Sequence, residues 1–112
     1  MSEHELAPGD VQSEAQVIDV REDYEYEAGH IPGSHNVDVN ELNGVADELD
    51  RSKPVVFYCR SGDRSAMPAQ AFRASGWDAY SIEGGLQGWV DAGKPLEPDD
   101  GEVAHRRPGP QT

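Results

Sequence analysis

The stretch Pro54-Val55-Val56-Phe57-Tyr58-Cys59-Arg60-Ser61-Gly62-Asp63-Arg64-Ser65 constrains this chain more than any other, because an apolar strand runs straight into the only cysteine and then into polar, turn-prone residues. Val55 to Tyr58 make a short β-branched and aromatic run of the kind buried in a parallel sheet. Gly62 allows backbone angles that other residues resist, and Ser65 is placed to cap a helix beginning at Ala66-Met67-Pro68-Ala69-Gln70-Ala71-Phe72. Pro68 then falls at the third helical position, whose amide has no partner within the helix and can be spared. Strand, loop and helix start put Cys59 at the carboxyl end of a central strand, where open α/β sheets carry their sites.

The rest of the chain is organised around that unit. Residues 1–15 are polar, with Pro8-Gly9-Asp10 as a turn signal, and are expected to form a loose or short helical lead-in. Gln16-Val17-Ile18-Asp19-Val20 reads as the first strand, after which Asp23 is placed to cap a short helix that stops at Gly29. Gly29-His30-Ile31-Pro32-Gly33-Ser34-His35-Asn36 is a turn-rich connection in which proline presets one backbone angle and glycine supplies the other. A short strand over residues 36–39 follows. The face Leu42, Val45, Ala46 and Leu49 predicts a helix over residues 40–50, which Asn43-Gly44 weakens. Beyond the cysteine loop, a helix over residues 65–75 ends at Gly76, and residues 77–82 supply another strand. Glu83-Gly84-Gly85-Leu86-Gln87-Gly88-Trp89-Val90 is a glycine-rich turn into a last helix closed by Gly93. Residues 97–112 read as a flexible tail. Strands alternating with helices imply one parallel-sheet α/β domain over residues 16–96.

A chain of 112 residues suits a single domain. It has no apolar run of about 18 residues, and its acidic N-terminus lacks an apolar core segment, so a membrane span and a signal peptide are not expected and the cytoplasm is. A single cysteine excludes an internal disulfide. Acidic residues outnumber basic ones 22 to 9, for a formal charge of −13, which speaks against nucleic acid as a partner. Only Lys53 and Lys94 are lysines, and so acidic a surface suggests a protein that works at high salt, where self-repulsion is screened. His30 and His35 flank a proline turn at poor spacing for a shared metal. A hydrogen bond to the turn is the expected role of His30. No metal or organic cofactor is required, and a monomer is expected.

A thiol attacks as its thiolate, so a nucleophilic cysteine needs cations, amide dipoles or a helix N-terminus beside it. The loop offers all three. Arg60 and Arg64 flank the turn, the amides of residues 60–65 can converge on one point, and the following helix aims its positive end there. Such a site suits anionic electrophiles: thiosulfate, a persulfide, a phosphoester or arsenate.

Four segments together resemble the rhodanese-like sulfurtransferases: Val17-Ile18-Asp19-Val20-Arg21 with Tyr24-Glu25-Tyr26, then Gly29-His30-Ile31-Pro32-Gly33-Ser34, the loop from Cys59 to Ser65, and Gly84-Gly85-Leu86-Gln87-Gly88-Trp89. The resemblance implies a rhodanese-like α/β domain with a central, mostly parallel sheet of four or five strands flanked by helices. It implies that Cys59 accepts a sulfane sulfur from thiosulfate or a persulfide donor, which can be a protein persulfide, and passes it to a thiol or cyanide. Arg60, Ser61, Gly62, Asp63, Arg64 and Ser65 would hold the substrate, with Asp19 and Arg21 in support and Arg64 paired to Asp19. The loop from Cys59 to Arg64 has six residues, as in the family's sulfurtransferases, whereas the related phosphatases and arsenate reductases use one more. Asp63 departs from the pattern, because a carboxylate at the loop mouth opposes a dianion. The alternative is a sulfur-carrier or partner-binding module with weak turnover of its own. The glycine-rich segment is expected to bring the last helix close to the cysteine loop, with Trp89 anchoring it in the core.

Overall fold

The structure, a computed structural model, describes residues 5–38, 41–60, 63–98, 101 and 103, with backbone only at residues 43, 63 and 64. Its strands are β1 (Glu5–Leu6), β2 (Gln16–Asp19), β3 (His35–Asn36), β4 (Val55–Tyr58) and β5 (Ala79–Ile82). Its helices are α1 (Asp23–Ala28), α2 (Leu42–Val45), α3 (Asp63–Ala74) and α4 (Gly85–Asp91). The strands make one five-stranded sheet in the order β1-β5-β4-β2-β3, with every pairing parallel. Among the described residues no helix is long and apolar enough to cross a membrane.

β4 lies at the centre with all its residues buried, as an apolar run between helical layers should. Successive side chains leave it on opposite faces. Val55, Phe57 and Cys59 join Ile18, Val20, Leu42, Ala69, Phe72, Trp77 and Ala79 in one apolar cluster. Val56 and Tyr58 join Ile31, Ile82, Leu86 and Trp89 in a second. α3 therefore packs on the face that Cys59 shares, and α4 on the other. Phe72 presents a T-shaped edge to Phe57 at 5.0 Å between ring centroids and leans on Trp77 at 5.4 Å.

Several elements differ from expectation. The polar lead-in supplies β1, because a parallel edge strand needs only backbone: Glu5 and Leu6 pair with Ser81 and Ile82, and Glu83 N donates to Leu6 O at 2.7 Å. Residues Pro8–Asp10 form a 3-10 turn at the expected signal. α1 is capped by Glu22 and not Asp23, since Glu25 stands at the third helical position and completes a capping box. β3 covers His35–Asn36 only; Val39, expected in this strand, lies outside the described residues. The helix expected over 40–50 shrinks to α2 followed by a 3-10 turn over Ala46–Glu48. Its Asn43-Gly44 pair is a poor helix former.

α3 begins at Asp63, so Ser65 is its third residue instead of its cap and Pro68 sits inside the helix. Ser65, Pro68, Ala69 and Phe72 are its buried residues, spaced by three, one and three along the face turned to the sheet. That packing outweighs the interior proline, a defect of about 3 kcal/mol. The start of the expected tail is docked: Glu97 and His30 exchange backbone hydrogen bonds of 3.0 and 2.8 Å, and Val103 packs against the second cluster. Most of the rest of that tail lies outside the described residues.

A polar network ties the Gly29-to-Asn36 connection to β4. Ser34 Oγ donates to Ile31 O at 2.7 Å, leaving the Tyr58 hydroxyl to donate to Ser34 Oγ at 2.9 Å while it accepts from Ile31 N at 3.1 Å. Tyr26 donates its hydroxyl to Ser34 O at 2.7 Å. His30 stacks on the Tyr26 ring at 3.8 Å and donates from Nδ1 to Tyr26 O at 2.8 Å, a structural role at the turn.

Truncating Phe72 to Ala should cost about 3 to 5 kcal/mol, read from urea unfolding midpoints. Burial, and then the nearby Asp19 carboxylate, push the Tyr58 phenol well above its ordinary value of 10.0. The unfolded chain therefore releases this proton first, so the contribution of Tyr58 is complete below about pH 10 and is lost as pH rises further. Urea midpoints taken from neutral to strongly alkaline pH should fall less steeply in Tyr58→Phe than in the wild type.

Candidate functional site

Cys59 follows the last residue of β4, and the ladder holds it there: Val20 N donates to Tyr58 O at 3.0 Å, the last rung before the strand turns away. The residue is fully buried. Its thiol donates to the hydroxyl of Ser65, also buried, at 3.6 Å, a contact between the end of the strand and the first turn of α3. Cys59 and Ser65, six residues apart, are thus brought together. Arg60 follows the sulfur, half-buried. Ser61 and Gly62 lie outside the described residues; Asp63 and Arg64 are placed by backbone alone, as the first two residues of α3.

Asp19 and Arg21 form a buried ion pair. Arg21 donates from Nη2 to Asp19 Oδ2 at 2.6 Å and from Nε to Oδ1 at 3.0 Å, and its backbone amide donates to Oδ1 at 2.8 Å. Nη2 reaches on to the Gly29 carbonyl at 2.8 Å, and the guanidinium lies 5.6 Å from the Tyr58 ring centroid. Burial works against the Arg21 charge, but its hydrogen bonds to Asp19 and the charge of that carboxylate prevail, and its pKa is raised. Asp19 is thus engaged by Arg21; the side chain of Arg64, the partner that the resemblance implies, lies outside the described residues. Alternation along β2 explains this. Ile18 and Val20 face the α3 side, so Asp19 faces the Tyr58 side of the sheet. Asp19 and Arg21 adjoin the site through the sheet, not beside the sulfur.

The glycine-rich segment approaches the cysteine from the opposite face. Leu86 N donates to Cys59 O at 2.8 Å and Gln87 N to Arg60 O at 3.0 Å. Gly84 and Gly85 have φ of 76° and 61°, the left-handed region that favours glycine. A Cβ on Gly85 would stand 2.5 Å from the Cys59 carbonyl oxygen and 2.7 Å from that of Arg60. Trp89 anchors the helix, buried and donating from Nε1 to Pro95 O at 2.8 Å. The glycine pair announced this close approach, but the two donors are backbone amides of residues whose side chains carry no sign of it, and sequence reading missed them.

This geometry gives a single sulfur at the carboxyl end of a central strand, a hydroxyl beside it, a helix starting next to it, and backbone carbonyls clasped from behind. It can hold one nucleophile.

Comparison with known proteins agrees. The chain is 35% identical over 82 residues to a Bacillus subtilis protein named "Putative sulfurtransferase YtwF", covering 73% of this chain and 80% of that protein. It is 41% identical over 76 residues to YqhL of the same organism, covering 67% of this chain but only 60% of YqhL. Among solved structures, a rhodanese-related protein from Thermoplasma volcanium superimposes with a TM-score of 0.76 at 30% identity, covering 83% of this chain and 96% of that one. The model of the rhodanese-like domain matches residues 4–92, and with this arrangement of strand, cysteine and helix the chain belongs to the rhodanese-like domain family.

Proposed function

We propose that the chain is a sulfurtransferase that moves a sulfane sulfur through a persulfide on Cys59. The observation that carries this reading is the placement of Cys59 at the end of β4, in contact with Ser65 in the first turn of α3. A thiolate there lies near the positive end of a helix of 12 residues. The six-residue loop from Cys59 to Arg64 supports sulfur chemistry over that of a larger tetrahedral oxyanion, and the named relative YtwF points the same way.

With thiosulfate, the Cys59 thiolate attacks the outer sulfur. A new S–S bond forms, the old one breaks, and sulfite leaves with its electron pair. A thiolate or cyanide then attacks the terminal sulfur of the persulfide, and Cys59 departs as thiolate. No net oxidation occurs. Arg60, Ser61, Gly62, Arg64 and Ser65, with the backbone amide of Asp63, hold the anion, and Asp19 with Arg21 hold the frame behind it. Because Cys59 is buried, a donor reaches Sγ only by displacing what covers it, which favours donors that present one exposed sulfur atom.

Intact mass after incubation with thiosulfate should show a gain of one sulfur in the wild type and none in Cys59→Ser. No gain in the wild type would overturn the reading. Steady-state turnover with thiosulfate and cyanide then separates a self-sufficient enzyme from a carrier that delivers its sulfur to a partner protein, since the carrier loads but does not cycle.

The charge of −13 completes the proposal with a working environment of high salt. Screening of self-repulsion should raise the melting temperature between dilute and molar potassium chloride. A flat response would rule that environment out.

A further inference from the structure

Resting on the sulfur-transfer reading, we infer that α4 orients the peptide after Cys59 so that the Arg60 amide faces the sulfur, and that Gly85 is the positioning residue that makes this possible.

The peptide between Cys59 and Arg60 is trans and planar, so its N–H points opposite to its C=O. Its carbonyl is held at 2.8 Å by Leu86 N, on the face where Leu86 and Trp89 pack. Its amide, on Arg60, therefore points toward the other face. That is the side to which alternation sends the Cys59 side chain, among Phe57, Ala69 and Phe72, and where Ser65 Oγ meets Sγ. Gln87 N fixes the Arg60 carbonyl in the same sense at 3.0 Å. Without these contacts the peptide is free to rotate about its flanking bonds, and its amide can turn away from the thiolate.

Gly85 is what lets α4 come this close. Its Cβ would stand 2.7 Å from the Arg60 carbonyl carbon as well as 2.5 Å from the Cys59 oxygen, distances that only backbone movement can relieve. Gly93 provides an internal control, because its φ of +80° imposes comparable strain on any side chain but it has nothing within 4 Å.

The test compares Gly85→Ala with Gly93→Ala, using the rate of Cys59 alkylation by iodoacetamide as a function of pH. A merely structural role would weaken both proteins and leave this profile alone. In Gly85→Ala, loss of the oriented amide should move the midpoint of the profile upward by about one pH unit, an approximately tenfold loss of rate near neutrality. Gly93→Ala should keep the wild-type profile. Superimposable profiles for Gly85→Ala and the wild type, or equal displacement in both variants, would overturn the proposal.

Should Gly85→Ala fail to fold by circular dichroism, the wild type decides. The Arg60 amide proton resonance should move with ionisation of the Cys59 thiol and stop responding in Cys59→Ser, and a resonance indifferent to that ionisation overturns the proposal. Both readouts are independent of sulfur chemistry. A wild type that titrates as described but gains no sulfur would remove the sulfurtransferase reading and leave the positioning intact.

Discussion

The register of β4 against β2 and β5 is the constraint on which the other features depend. Its four residues are buried on both faces and paired on both sides, with Asp19 opposite Tyr58 and Phe57 opposite Ser81. A slip of one residue would exchange the two faces. Cys59 would then turn toward α4 and Tyr58 toward α3, separating the sulfur from Ser65 and the phenol from Ser34. The chemistry proposed for Cys59 therefore begins with the apolar side chains that make any other register costly.

A second requirement is set by the charges buried behind the strand. Taking a carboxylate and a guanidinium out of water costs several kcal/mol for each ion, and only close geometry offsets it. Asp19 and Arg21 meet that condition with three side-chain hydrogen bonds and one from the backbone amide, while Gly29 O takes a further proton of the guanidinium. Asn36 Nδ2 donates to the Arg21 carbonyl at 3.0 Å. The pair thereby joins the end of β2 to α1's stop signal and to β3. The segments Asp19-Val20-Arg21 and Gly29-to-Ser34, distant from the sulfur along the chain, are one polar frame at the carboxyl edge of the sheet.

How much of this was legible in the sequence follows from where the information lies. The alternation of strands with helices and the Val55-to-Cys59 run disclosed the parallel α/β sheet and the place of the cysteine, because burial on both faces leaves a compositional mark. Gly84-Gly85 disclosed a close backbone approach, since little else fits there. That Arg21 engages Asp19 was not read, because the strand's facing is a three-dimensional fact; the side chain of Arg64, the partner that the resemblance implied, lies outside the described residues. β1 was left open, as a choice between four strands and five, because two residues bonded through their backbone need no particular side chains. The start of α3 was placed late, at Ser65, since a residue able to cap is equally able to sit in the first turn. The Leu86 and Gln87 amides were invisible for the same reason as β1.

β1 and β3 share another property. They are the two outermost strands of the sheet, and among the described residues each has two. A strand edge is a template for any extended chain that meets it, and its hazard grows with the length of unpaired ladder it offers. Among the described residues both borders are short ladders, while the longer apolar strands are kept inside. The fold thus limits recruitment of neighbouring chains by geometry as well as by charge, and that protection would persist where salt has screened the charge away.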